Sequence, residues 1–136
     1  MTRVNAGIPP RELHRAHLVA ELREITKVCS SLVRSLGTKS HKTILKEIPN
    51  TFTLNTGHVK FFYDKLTYLK KRFHLLADEM ERSGSVPNRE RDIYFDGYPK
   101  VFYNDWEPCE TDNNVVRARI RERIAQKPHL YRDILT

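Results

Sequence analysis

The sequence has only two cysteines among its 136 residues, Cys29 and Cys109. Neither stands in a Cys-x-x-Cys pair, which argues against a zinc knuckle, and two isolated cysteines do not make a disulfide scaffold. The five glycines are too few for a collagen-like chain. We expect both cysteines to be small, buried apolar residues.

Long apolar runs are also missing. The longest are far shorter than the roughly 20 residues that cross a bilayer. The first residues, Met1 to Asn5, contain no apolar signal-peptide stretch. We therefore expect a soluble intracellular protein, in the cytoplasm or nucleoid, that is neither secreted nor attached to a membrane.

The overall composition is that of a globular protein with a basic surface. Hydrophobic residues make up 39% of the chain and charged residues 30%, which suffices for one core at this length. We expect a single domain over residues 1–136. The 24 Lys and Arg outnumber the 17 Asp and Glu, and the net charge of +7 favours a polyanionic partner, with nucleic acid first.

Apolar periodicity predicts long helices. Apolar residues recur at steps of three and four along residues 11–36 and along residues 57–82, which indicates an amphipathic helix in each. A third helix is predicted from Asp112 or Asn113 and ends before Pro128. No alternation typical of a β-strand runs for a useful length. The sequence therefore predicts an all-α, single compact domain of three main helices with long irregular connections.

The connections have weaker patterns. Residues 38–52 contain at most one short helix before Pro49. Residues 85–110 are rich in aromatic residues and proline, and we expect them to be irregular apart from one short helix. Trp106 in this segment and Tyr131 near the C-terminus either cover the core or stack on bases.

The third predicted helix concentrates positive charge. Four arginines fall within seven of its residues: Arg117, Arg119, Arg121 and Arg123. The apolar residues between them take the core side, so the cations share the exposed side. Solvated faces usually mix charges of both signs, whereas Glu122 is the one acid among these residues. This favours contact with nucleic-acid phosphates, and an ordinary solvated face is the alternative.

The first predicted helix carries a polar stripe. His17, Ala20, Glu24 and Lys27 advance by steps of three and four, so they share one side of the helix. A carboxylate between a histidine and cations, beside a small alanine that leaves space, suits a catalytic acid or base. The alternative is an ordinary surface ion pair of Glu24 with Lys27.

His58 follows Gly57 at the start of the second predicted helix. No second histidine or carboxylate stands at metal-ligand spacing from it. We therefore expect His58 to be a structural residue and not a metal ligand.

Four blocks keep a fixed order along the chain: Met1-Thr2-Arg3-Val4-Asn5, His17-Leu18 with Ala20-Glu21-Leu22-Arg23-Glu24-Ile25, Gly57-His58-Val59-Lys60-Phe61-Phe62-Tyr63-Asp64-Lys65-Leu66, and Ile124-Ala125-Gln126-Lys127-Pro128. With these blocks the chain resembles the phage pyrimidine-dimer DNA glycosylase family, also called endonuclease V of the ultraviolet-repair type. The resemblance implies an all-α domain that cleaves the glycosidic bond at cyclobutane pyrimidine dimers in double-stranded DNA. It also implies a lyase step that nicks the abasic site, with no metal or organic cofactor. We further expect a monomer.

The same resemblance implies roles for individual residues. Thr2 supplies the nucleophile through its main-chain amine once Met1 is removed, and Glu24 matches the essential carboxylate. The residues that it implies to line the reaction centre or to contact DNA are Arg3, His17, Arg23, Lys27, Arg119, Arg123, Tyr131 and Arg132. The charge of the third predicted helix adds Arg117 to the expected DNA contacts. Lys27 stands where the family typically has arginine, and only part of the family's C-terminal aromatic cluster is kept.

An amino-terminal amine suits this chemistry. An α-amino group with a pKa of about 7.7–8.0 is about 15% neutral at pH 7, whereas a lysine with a pKa of about 10.4 is about 0.04% neutral. The neutral amine can attack the sugar carbon C1′ and form a protonated imine, the electron sink that β-elimination requires. Glu24 can stabilise positive charge at C1′ and move protons.

Two other functions remain compatible with the sequence. A non-catalytic basic helical protein would bind DNA without forming a covalent adduct. A related glycosylase and lyase would act mainly on other lesions, such as oxidised bases. Borohydride trapping distinguishes the first alternative, and cutting of a panel of defined lesions distinguishes the second.

Overall fold

The computed structural model describes residues 3–127. This part of the chain is helical and contains no β-strand, which confirms the predicted all-α class. Its α-helices are α1 Arg15–Glu24, α2 Lys27–Leu36, α3 His41–Glu47, α4 His58–Phe61, α5 Leu66–Arg82 and α6 Glu110–Gln126. Short 3₁₀ helices occupy Pro10–Glu12, Arg89–Phe95 and Lys100–Phe102.

The first long helix begins later than predicted. It starts at Arg15 and not at residue 11, because the preceding residues form the 3₁₀ helix Pro10–Glu12. The His14 side chain caps α1 by accepting a hydrogen bond from the Ala16 amide at 3.0 Å. A histidine is an uncommon cap, so the usual capping residue types gave no sign of it.

The same predicted helix is also broken in the middle. α1 ends at Glu24 and α2 begins at Lys27. At the break, the Arg91 guanidinium donates to the carbonyl oxygen of Arg23 at 3.1 Å and to the hydroxyl of Thr26 at 2.7 Å. A side chain from a distant 3₁₀ helix therefore bonds main-chain and side-chain oxygens at the junction. Because Lys27 starts a new helix, it does not continue the polar stripe of α1.

The second long helix, predicted over 57–82, is likewise two helices, α4 and α5. Lys65 donates to the carbonyl oxygen of Phe61 at 2.9 Å. Asn104 donates to the carbonyl oxygen of Asp64 at 2.8 Å. These side chains bond the carbonyl groups that the interrupted helix leaves open.

α5 is the central helix. Its buried apolar residues run along its length: Leu66, Leu69, Phe73, Leu76, Ala77 and Met80. α1 and the 3₁₀ helix Arg89–Phe95 pack on α5, with the ring centroids of Phe73 and Phe95 5.8 Å apart. Trp106 stacks on Phe52 with 5.6 Å between ring centroids and lies in a cluster of buried aromatic rings. Trp106 was expected either to cover the core or to stack on bases, and the structure shows that it packs against the core.

α6 begins at Glu110, slightly before the predicted start. The Cys109 amide donates to the Asp112 carboxylate at 3.1 Å and so closes the first turn. Cys109 is exposed at this helix end, so the expectation of burial is wrong for Cys109, whereas it is confirmed for Cys29. Within α6, only Val116 is buried. The helix therefore keeps most of its charged side chains at or near the surface.

Candidate active site

A cavity of about 190 Å³ lies between the start of the chain, α1 and α6. We call residues 3–8 the arm. The cavity is lined by residues of the arm, α1 and α6: Arg3, Asn5, His17, Ala20, Glu21, Glu24, Val116, Arg119, Ile120 and Arg123. The fold thus brings the first described residues against the last helix.

α1 contributes a carboxylate to the cavity. His17, Ala20 and Glu24 share one side of the helix, as the spacing predicts, and all three line the cavity. Ala20 carries only a methyl group between the two polar residues. Lys27 is not among the lining residues, and within residues 3–127 it forms no ion pair with Glu24. The surface-pair alternative for Glu24 is therefore not realised.

Three arginines line the cavity together with Glu24: Arg3 from the arm, and Arg119 and Arg123 from α6. Burial lowers the pKa of Arg3, and the positive charges of Arg123 and Arg119 lower it further, while Glu24 opposes them. An arginine in a protein keeps its proton despite such shifts. The cavity therefore has an excess of positive charge over the negative charge of its carboxylates.

His17 is a neutral member of this group at pH 7. Burial lowers its pKa from the ordinary value of 6.5, and His14, Arg123 and Arg3 lower it further. A neutral imidazole offers one N–H donor and one acceptor nitrogen. His17 therefore adds hydrogen-bonding capacity to the cavity without adding charge.

Glu21 lies one helical turn before Glu24 but is fully buried. Arg72 of α5 donates to it through Nε at 2.8 Å and through Nη2 at 3.0 Å, and the Asn5 side chain donates at 2.8 Å. Burial would lower the pKa of Arg72, but the charge and hydrogen bonds of Glu21 raise it above its ordinary value. Because Glu21 is committed to Arg72 and Asn5, Glu24 is the cavity carboxylate that remains for a ligand.

His58 has the structural role that the sequence predicts. It is 5% exposed and does not line this cavity. Its Nδ1 lies 2.8 Å from the carbonyl oxygen of Thr53, and its Nε2 accepts a hydrogen bond from the Val4 amide at 3.0 Å. Since Nε2 accepts, the ring proton is on Nδ1 and donates to Thr53. Burial lowers the pKa of His58, which keeps this neutral form at pH 7.

The structure brings together part of the predicted site: Arg3, His17, Glu24, Arg119 and Arg123. Arg23 and Lys27 are exposed and lie outside the cavity lining. Arg117 is also outside it and pairs with Glu12 at 3.2 Å. Three predicted residues lie outside the described residues: Thr2, Tyr131 and Arg132.

Sequence reasoning missed Asn5, Glu21 and Arg72. Glu21 and Arg72 each interrupt the apolar stripe of a helix, three or four residues from buried aliphatic residues. A charged residue in such a position requires a buried partner, and that was the available signal. No periodic pattern covers Asn5.

Among residues 3–127, no three His, Cys, Asp or Glu side chains are grouped closely enough to hold a metal ion. No helix in this range has both the length and the apolar character needed to cross a membrane. The groups that the cavity offers to a ligand are the Glu24 carboxylate, the guanidinium groups of its three arginines and the His17 imidazole.

These features define a class of protein: a basic helical protein with a cavity whose arginines favour a polyanionic ligand and which also contains the Glu24 carboxylate. The chain belongs to the pyrimidine dimer DNA glycosylase family, whose model matches residues 1–93. The matched part contains the arm and α1, and therefore Arg3, His17 and Glu24, whereas α6 lies beyond it. The protein is accordingly a DNA repair enzyme, and DNA is its substrate.

Proposed function

We propose that this glycosylase is bifunctional. It cleaves the N-glycosidic bond at cyclobutane pyrimidine dimers in double-stranded DNA and then nicks the resulting abasic site by β-elimination. The nucleophile is the main-chain amine of Thr2, exposed by removal of Met1, and Glu24 is the assisting carboxylate. The whole chain, residues 1–136, is one domain that acts as a monomer. The observation that supports this most strongly is that Arg3, which is bonded directly to Thr2, lines the same cavity as Glu24.

Covalent geometry limits how far the amine can be from this cavity. The main-chain nitrogens of neighbouring residues are at most about 3.6 Å apart. The nitrogen of residue 2 therefore stays within that distance of the nitrogen of Arg3. Val4, the next residue of the arm, is fully buried, so the arm cannot swing outward without exposing core contacts. Both facts support an amine near Glu24.

In the glycosylase step, the neutral amine donates its lone pair to C1′ of the damaged nucleotide. The bond between C1′ and the base nitrogen breaks, and its electron pair leaves with the base. Glu24 stabilises the positive charge that builds up on the sugar and passes the amine proton toward the departing group. The arginines around the cavity disfavour protonation of the amine, because like charges repel.

In the lyase step, the sugar ring opens and the adduct becomes a protonated imine. The imine withdraws electrons from C2′, so a base can remove the C2′ proton while the C3′–O bond breaks and the 3′ phosphate leaves. We assign this proton transfer to Glu24. Water then hydrolyses the imine and restores the free amine.

The cations around the cavity hold the DNA backbone. We assign Arg3, Arg119 and Arg123 to phosphates next to the lesion, and the exposed Arg23 and Lys27 to phosphates further along. Arg117, Tyr131 and Arg132 remain proposed DNA contacts, and His17 a proposed hydrogen-bonding group of the centre. Reaching C1′ requires a nucleotide to be distorted or extruded, which costs least where a dimer has already weakened stacking.

Sodium borohydride trapping on an abasic duplex tests this function. The enzyme is expected to form a covalent adduct. Acetylation of the amino terminus is expected to abolish it, and Glu24→Gln is expected to slow its formation by about a hundred- to a thousandfold, so that little adduct forms while the unaltered enzyme reacts completely. Arg82→Gln, an exposed change at the end of α5, is the matched control and retains trapping. Salt-sensitive binding without any adduct would contradict the proposal and support non-catalytic binding. Preferential cutting of other lesions in a panel would assign the enzyme to those lesions.

A further inference from the structure

We propose that the amino-terminal nucleophile is aimed by a fixed arm, and that His58 is the positioning residue that sets its direction. This inference rests on the proposed function, since it concerns how the amine of Thr2 is presented. No part of the family resemblance assigns this role to His58, and the cavity lining does not contain it.

The arm is bonded at every residue from position 4 to position 8, and the partners come from four different helices. The Val4 amide donates to His58 of α4, and the Gly7 amide donates to Asn113 of α6. The Asn5 side chain donates to Glu21 of α1. The carbonyl oxygens of Ala6 and Ile8 accept hydrogen bonds from Tyr68 and Arg72 of α5. A five-residue segment without secondary structure is thus fixed along its whole length.

Burial and backbone conformation agree with this fixation. Val4, Asn5, Ala6 and Ile8 are all buried. Ala6 has a φ of 48°, in the left-handed region that alanine rarely adopts. Such a conformation persists only where the surroundings determine it, and the hydrogen bond from Tyr68 to the Ala6 carbonyl is part of those surroundings. The contacts around the arm therefore hold the chain reversal at Ala6 and Gly7 in place.

Of the five partners of residues 4–8, His58 acts closest to the nucleophile. It bonds Val4, two residues after Thr2, whereas the other four partners bond positions further along the chain. Its ring is itself held, by the carbonyl of Thr53 at 2.8 Å and by edge-to-face contact with Phe52 and Phe62. The Val4 amide therefore has a rigid acceptor. Loss of this acceptor is expected to let the main chain at Val4 shift relative to Glu24.

Such a shift is expected to affect chemistry much more than binding. Attack on C1′ requires reacting atoms to be close and aligned, and a displacement of about 1 Å can slow a reaction by about a hundredfold. DNA affinity depends on several proposed phosphate contacts, of which only Arg3 lies on the arm. The others lie on α6 and around the junction of α1 and α2. A purely structural role would lower thermal stability without changing the rate of the folded enzyme.

The experiment measures single-turnover formation of the borohydride-trapped adduct on a preformed abasic duplex, together with the Kd for that duplex and the Tm. In His58→Phe, which keeps the ring volume but loses the acceptor, we expect adduct formation to slow by about 10- to 100-fold. The Kd is expected to rise by no more than about fivefold, because Arg3 is one of several proposed phosphate contacts. His58→Gln, which restores an acceptor, is expected to recover much of the rate. Tyr103→Phe is the control, because it removes a hydrogen bond to the Phe95 carbonyl away from the arm.

Adduct formation by folded His58→Phe at the Tyr103→Phe rate would overturn the inference. A parallel loss of rate and affinity would also overturn it. If His58→Phe does not fold, hydrogen exchange of the Val4 amide in the unaltered enzyme decides: protection supports a fixed arm, and exchange as fast as in an exposed loop contradicts it. If the unaltered enzyme forms no adduct at its amino terminus, the proposed function itself has failed, which is a separate result.

Discussion

Two carboxylates on α1, one helical turn apart, have opposite surroundings. Glu21 has a side chain that is 1% exposed and is bonded to an Arg72 side chain that is 3% exposed. Glu24 is half-buried, lines a cavity with three arginines and forms no ion pair within residues 3–127. The carboxylate of Glu21 therefore stabilises the fold, whereas the carboxylate of Glu24 is available to a ligand in the cavity. The two carboxylates differ in their surroundings because they lie on different sides of the helix.

The difference follows from helical geometry. Glu21 lies three residues after Leu18 and four before Ile25, so it shares their buried side and faces α5. Glu24 follows His17 by seven residues, two full turns, and shares its side. Because Glu21 also accepts from Asn5, the buried ion pair anchors the arm that borders the cavity. The two regions are thus connected, and substitutions can separate their contributions.

The largest expected effect is on stability, where substitutions at Glu21 and Glu24 are expected to differ. Glu21→Gln leaves the buried Arg72 guanidinium without a counter-charge, so we expect the free energy of unfolding to fall by about 3–5 kcal/mol. Glu24→Gln is expected to change it by less than about 1 kcal/mol, since this side chain is outside the core. Urea unfolding followed by circular dichroism measures both.

A paired substitution sharpens this result. Glu21→Leu combined with Arg72→Met removes both charges and replaces them with apolar groups, so it is expected to recover much of the stability that Glu21→Gln loses. Equal stability losses in Glu21→Gln and Glu24→Gln would contradict the different roles of the two carboxylates.

The second expected effect concerns activity. Here the substitution at Glu24, and not the one at Glu21, is expected to have the larger effect. Glu24→Gln is expected to slow adduct formation by about a hundred- to a thousandfold, because an amide neither stabilises developing positive charge nor transfers protons. Glu21→Gln, assayed where it is folded, is expected to stay within about tenfold of the unaltered enzyme. Single-turnover trapping measures both rates, and a greater loss in Glu21→Gln would reverse the assignment of roles.

The third effect concerns the cations of the cavity. Arg119→Gln is expected to reduce the slope of log affinity against log salt by about 1, since one phosphate contact is lost. Arg82→Gln changes a cation that is paired with Glu79 away from the cavity, so its slope is expected to stay the same. Titrations of duplex DNA at several salt concentrations give the slopes. Identical slopes for the two variants would remove Arg119 from the DNA-binding surface.

The smallest effect concerns two histidines, His17 at the cavity and His58 beneath the arm. Burial lowers both pKa values below the ordinary 6.5. The unfolded chain therefore binds protons more readily, so stability is complete above about pH 6.5 and declines as the pH falls below it. We expect the free energy of unfolding to be lower at pH 5.5 than at pH 7.

Thermal melts across this pH range measure the decline. His58→Gln is expected to remove part of it, because glutamine does not titrate. The carboxylate of Glu47, whose pKa lies below its ordinary 4.5, titrates outside this window and does not obscure the result. Stability that is constant from pH 7 to pH 5.5 would contradict the account of both histidines.

The features that repeat along helices could be predicted from the sequence. The all-α class follows from periodicity, and so does the shared side of His17, Ala20 and Glu24, because a side-chain direction repeats with each turn. The positions where helices end could not be predicted in the same way. The break after Glu24 coincides with hydrogen bonds from Arg91, which is far away in sequence.

The arm could not be predicted either. Its residues follow no period, and each is fixed by a partner that only the folded chain brings near, as with Val4 and His58 or Gly7 and Asn113. Lys27 was predicted to extend the polar stripe, but a helix break ends that stripe. The local sequence pattern therefore predicted which residues of α1 line the cavity, and long-range polar contacts determined the rest of the candidate site.

The most direct test of the central claim is the location of the reduced adduct. After borohydride trapping on an abasic duplex and nuclease treatment, peptide mass spectrometry identifies the nitrogen that carries the sugar fragment. We expect a modified amino-terminal peptide that begins at Thr2, lacks Met1 and carries the sugar fragment on its main-chain nitrogen. An adduct on a lysine side chain, such as Lys27, or an unmodified peptide that retains Met1, would contradict it.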